Sequence, residues 1–152
     1  MKDVSRDEPS PQTIELHRVE LYGTTVDIHV EVGSHRDLRV RVIPGNEQAC
    51  EVVITSDRLW FGLEAGRYLS ADLEELEQQM GSKFLAAAEL LRAIMQYGFS
   101  ESALVVGEKI IETRCTIPVP AKPVVITRKH AWVLPTTRRK AQRKHYQYAP
   151  FA

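Results

Sequence analysis

The sequence predicts an α+β domain: an antiparallel β-meander with two amphipathic helices packed on one face and a basic C-terminal arm. Three observations carry this expectation. The first half alternates apolar and polar residues with period two between short turn signals. Near Ser70 the apolar period lengthens to that of a helix. Beyond Pro135 the chain holds cations and aromatics with hardly an aliphatic residue to bury.

The strand pattern is cleanest from Thr25 to Val32, where Val26, Ile28, Val30 and Val32 face one way and Asp27, His29 and Glu31 the other. Upstream, Ile14 and Leu16 are followed by Val19 and Leu21, a phase slip at His17 and Arg18 that a bulge would produce. Tyr22-Gly23-Thr24 supplies the intervening turn. Leu38, Val40 and Val42 alternate with Arg39 and Arg41, Pro44-Gly45-Asn46 turns the chain, and Cys50, Val52 and Ile54 lead to the apolar run 59–63. The meander is expected over 13–63, with one face buried and the other carrying mixed charge.

Leu69, Leu73, Leu76 and Met80 then recur at helical spacing, with Ser70 or Asp72 placed to cap and acids suited to the positive end of the helix dipole. Gly81 and Ser82 are a natural stop and restart. Phe84, Ala87, Ala88, Leu91, Ile94 and Met95 form the stripe of a second helix ending at Gly98. Helices are expected near 71–80 and 83–97. β-Branched residues on either side of Gly107-Glu108 suggest a hairpin, although Ser100 can also cap a helix there. A last strand is expected over 124–134, with Trp132 in its apolar run and so read as core. The expected organisation is a flexible leader over 1–12, a single domain over 13–134 and an arm over 135–152.

The chain of 152 residues has 43% hydrophobic and 26% charged residues, ordinary globular usage. No apolar run approaches a membrane span and no secretory signal is visible, so the expectation is a soluble cytoplasmic protein. Cys50 and Cys115 read as buried thiols of a reducing compartment rather than a disulfide. The net charge of zero hides a segregation. Residues 1–112 carry 11 basic and 20 acidic side chains, a net of −9, whereas the nine cations from Arg114 onward meet no acid. Such asymmetry points to an anionic partner.

No cofactor or metal motif is present, and none is expected to be needed. His17, His29 and His35 lack ligand spacing and read as scattered surface histidines. Asp72, Glu74, Glu75 and Glu77 spread around a helix as a solvated face does, or serve as an acidic surface for a protein partner. The arm is the sharper signal. Arg138, Arg139, Lys140, Arg143 and Lys144 can neutralise phosphates, with Arg128 and Lys129 upstream, and Tyr146, Tyr148 and Phe151 can stack on unpaired bases. The favoured expectation is a non-catalytic protein whose mobile arm contacts nucleic acid or a ribonucleoprotein. Its rival is an interaction module (inhibitor, immunity factor or assembly subunit) using the acidic body, with the arm folded back on that body or on a second copy of the chain. A small hydrolase or nuclease is the weaker alternative.

Overall fold

The computed structural model describes residues 12–33, 37–80, 83–120 and 122–152. The expected leader lies outside them except for Gln12, as do Gly81, Ser82 and His35. The side chains of His17, Glu77 and Phe84 lie outside as well.

Six strands run as an antiparallel meander in the order β1 (Gln12–Leu21), β2 (Thr24–Val32), β3 (Leu38–Pro44), β4 (Val52–Ser56), β5 (Phe61–Ala65) and β6 (Leu69–Asp72). The phase slip is a register shift between Leu16 and Val19 in the β1–β2 ladder, with Arg18 in the left-handed region at φ 53°. Asp72 accepts the Glu74 backbone N–H at 2.9 Å and so caps α1 (Leu73–Met80). Helix α2 (Lys83–Tyr97) follows. The chain then builds a second sheet from β7 (Phe99–Val106), β8 (Lys109–Ile117), β9 (Val124–Lys129) and β10 (Gln142–Tyr148), in spatial order β10-β7-β8-β9. A single helical turn, α3 (Pro135–Arg138), joins β9 to β10.

This architecture corrects the α+β expectation of two helices layered on a meander. Strands in two antiparallel sheets make up 52% of the described residues, and the three helices are a small minority. Helix α1 packs against β5, β6 and α2, while α2 reaches β8 of the second sheet. The physical reason is that residues 99–148 form a sheet of their own, whose inner face shares the core. Val42, Val52, Leu63 and Leu69 of the meander, Leu73, Leu90, Ile94 and Met95 of the helices, and Phe99, Cys115 and Ile117 of the second sheet form one buried cluster. Within β2, Val26 is fully buried, Ile28 packs against the cluster half-buried, and Val30 is half-buried beyond it. Burial therefore fades along that strand.

The expectation of a mobile arm is also overturned. β10 pairs along its whole length with β7, from Gln142 opposite Val105 to Tyr148 opposite Phe99. The last residues are tied down as well. Ala149 N–H donates to the Gln48 carbonyl at 3.1 Å, Asn46 Nδ2 to the Pro150 carbonyl at 3.1 Å, and Phe151 N–H to the Met95 carbonyl at 2.9 Å. Phe151 itself is buried in the main core. The arm folds back onto β7, with its last residues bonded to the β3–β4 connection of the meander.

Candidate functional site

Alternation along β7–β10 gives the second sheet an inner and an outer face. Register places three rows across the outer face: Gln147, Ser100, Thr116 and Val125; His145, Ser102, Arg114 and Thr127; and Arg143, Leu104, Glu112 and Lys129. Cross-strand neighbours on one face are about 5 Å apart at Cβ, so His145 and Arg114 flank Ser102 from either side. Arg143 reaches in diagonally, its Nη1 donating to Ser102 Oγ at 3.0 Å. Ser100, Ser102, Arg114, Thr116, Arg143 and His145 line an open hollow of about 660 Å³, which Glu101, Tyr146 and Gln147 also border. Two guanidiniums, an imidazole and three hydroxyls around one concavity suit a phosphate or carboxylate oxygen cluster.

The two carboxylates of the second sheet's strands are withdrawn from this surface. Glu112 is 6% exposed and accepts a hydrogen bond from Arg138 Nη2 at 2.9 Å. Glu101, 2% exposed, belongs to the inner face. Its Oε1 accepts the backbone N–H groups of Tyr68 at 2.9 Å and Leu69 at 2.7 Å. Its Oε2 accepts Arg67 N–H at 3.0 Å and the Tyr148 hydroxyl at 2.9 Å. Every exposed charged side chain on these four strands is therefore basic: Lys109, Arg114, Arg128, Lys129, Arg143 and Lys144.

The structure gives the sequence-predicted residues different fates. Arg143 lines the hollow, and Lys129 ends the outermost row. Arg139, Lys140 and Lys144 are exposed at the α3–β10 turn and on the edge strand. Arg138 is engaged by Glu112, and Arg128 donates to the Ser70 carbonyl. Tyr146 is half-buried beneath the Arg67 guanidinium, 4.5 Å from its ring centre. Tyr148 stacks on Phe99 with ring centres 4.6 Å apart, and burial beside the Glu101 carboxylate pushes its phenol pKa up. With Phe151 in the core, neither Tyr148 nor Phe151 faces a base. Of the acidic helix, Asp72 is half-buried as the cap, and Glu74 and Glu75 are exposed.

Arg114, Ser100, Ser102, Thr116 and His145 were not assigned to a binding site from sequence. Their signal was present in the polar period-two positions of Ser100/Ser102 and Arg114/Thr116, which mark one wet face. On the meander's wet face, Arg41 makes a bidentate pair with Glu51 at 2.6 and 2.9 Å, which holds the Glu51 carboxyl below its usual range. Both cysteines are free thiols. Burial pushes Cys50 up to about 11 and Cys115, beside Glu101, up to about 12, which leaves them poor nucleophiles at neutral pH. Among the described residues no group of three or more His, Cys, Asp or Glu side chains can hold a metal ion, and no helix is long and apolar enough to cross a membrane. Comparison with protein families, curated proteins and solved structures finds no match to this chain.

Proposed function

We propose that this chain is a non-catalytic binding protein whose second sheet lays its basic outer face against the phosphate backbone of nucleic acid. One observation supports this reading above others: every exposed charged side chain in the three outer-face rows, Arg114, Lys129 and Arg143, is a cation, because Glu112 is buried and hydrogen-bonded. The cations are fixed by strand register rather than carried on a flexible tail, so little ordering entropy opposes their engagement. Arg114 and Arg143, on either side of Ser102, are the central pair.

The test is fluorescence anisotropy with short labelled single-stranded and duplex oligonucleotides at low and moderate salt, about 50 and 200 mM. Log affinity should fall linearly with log salt. The double variant R114A/R143A should bind more weakly, with a slope on single strands shallower by about 1.4, or about 0.7 for each lost phosphate contact. Absence of binding at low salt, or a double variant indistinguishable from the parent, refutes the reading.

A further inference from the structure

We infer that the strand bound here is unpaired and that Trp132 is the platform on which one of its bases stacks; this rests on the nucleic-acid reading above. Trp132 is 81% exposed. An indole is among the largest apolar surfaces a protein can bury, and it is seldom left bare on a folded segment without a partner.

The segment carrying Trp132 is held at both ends. Upstream, the His130 and Ala131 N–H groups both donate to the Ile111 carbonyl, at 2.7 and 3.3 Å, and His130 Nε2 lies 2.9 Å from Thr113 Oγ1. Downstream, Pro135 opens α3, Arg138 N–H donates to the Leu134 carbonyl at 2.9 Å, and Arg138 is anchored to Glu112. Trp132 is thus presented outward from a bracketed backbone, with Leu134, two residues on, 57% exposed.

Its surroundings select the occupant. Trp132, Lys129, Ala131, Pro135 and Arg138 line a hollow of about 450 Å³. The one carboxylate lining it is Glu112, which Arg138 already engages. Arg139 and Lys140 follow on the exposed turn. A flat π surface sharing a hollow with Lys129 and Arg138 matches a nucleobase with its phosphates, and any base can stack there because each has a π face. A duplex keeps its bases stacked and offers none. The site also borders the same outer face as the Arg114–Arg143 hollow. Glu112 and Lys129 share a register row with Arg143, and the next row, about 7 Å along the strands, holds Ser102 and Arg114. A single strand crossing the sheet can therefore meet the cationic rows and the indole in succession. This supplies the stacking that Tyr148 and Phe151 are too buried to provide.

The experiment uses the full chain with W132A and W132F, titrated against a labelled thymidine homopolymer and a duplex of equal length, alongside thermal melts and sedimentation. The parent should prefer the single strand. W132A should weaken single-strand binding roughly five- to a hundred-fold, the range of one lost base–aromatic stack. W132A should leave duplex affinity and the melting temperature nearly unchanged, and W132F should recover most of the loss. Parental single-strand affinity in W132A overturns the inference while leaving the basic-face reading intact. So does a loss in W132A accompanied by dissociation of an oligomer, which would assign the indole to a protein contact. If the parent binds neither nucleic acid at low salt, both readings fall.

Discussion

Replacing Glu101 with Gln tests the tie between the two sheets. The Glu101 carboxylate leaves β7 and gathers three consecutive backbone N–H groups, those of Arg67, Tyr68 and Leu69, where β5 turns into β6, together with the Tyr148 hydroxyl of β10. Cys115 Sγ lies 3.7 Å from Oε1. Five donors around two oxygens need an acceptor-only group, which is what an ionised carboxylate is. The close approach depends on Gly66 at φ 60°, since a Cβ there would come within 2.9 Å of Glu101 Oε1 and of the Tyr148 ring. In E101Q, an amide oxygen at the Oε1 position keeps Tyr68 and Leu69 but sets an NH₂ against the Arg67 N–H. The Arg67 N–H then keeps only the Tyr148 hydroxyl oxygen, at 3.2 Å, and the Tyr148 proton loses its acceptor. That loss costs about 1–3 kcal/mol, and the remaining bonds lose their charge assistance at about 1 kcal/mol. The expected loss is roughly 2–4 kcal/mol, or a fall in melting temperature of about 5–15 °C for a domain of this size. Urea unfolding followed by tryptophan emission should show the midpoint falling at constant slope. A melting temperature within about 2 °C of the parent would show that the buried carboxylate does not hold the sheets together.

Three further outcomes follow from the same packing. Phe151→Ala should cost about 3 kcal/mol of stability by calorimetry, because the side chain sits in the core and its N–H is bonded to Met95; a terminal tail would lose nothing. Gly98→Ala should destabilise by more than about 1 kcal/mol, since Gly98 has φ 71° and its added Cβ would collide with the Tyr148 carbonyl; chemical denaturation measures it, and a neutral result would contradict the placement of β10. Cys50, Cys115 and Tyr148 all have folded pKa values raised by burial. Unfolded chains would lose these protons first, so their stabilising effect is full below the ordinary thiol pKa and disappears as pH climbs through about 11 to 12. Thiol titration should therefore find both cysteines unreactive at neutral pH until denaturant is added, and melts should show stability falling from about pH 9 upward.

The local elements were legible in the sequence because each is dictated by neighbours in the chain. Alternation at Val26, Ile28 and Val30 marks a half-buried strand whatever it packs on, and the slip between Leu16 and Val19 requires a register shift wherever that strand lies. The helical spacing of Leu73 and Leu76, with Asp72 before them, likewise marks the start of α1 without knowledge of the sheet beneath it. The segregation of charge was equally plain, and it located the cations if not their setting.

The tertiary structure alone decided what long-range pairing controls. Gln142–Tyr148 has almost no aliphatic residues, so its period reads as solvated; it becomes a strand because β7, some forty residues earlier, offers an open edge and because Tyr148 and Phe151 have core sites waiting. Trp132 lies in an apolar run that reads as core, yet the Ile111 carbonyl and the α3 turn hold its backbone outside the sheet. Glu101 looks like any strand glutamate until a turn more than thirty residues away turns three N–H groups toward it. Periodicity encodes which residues share a face. Which faces meet, and which charges stay in water, depends on closure of the chain over distances that no local pattern records.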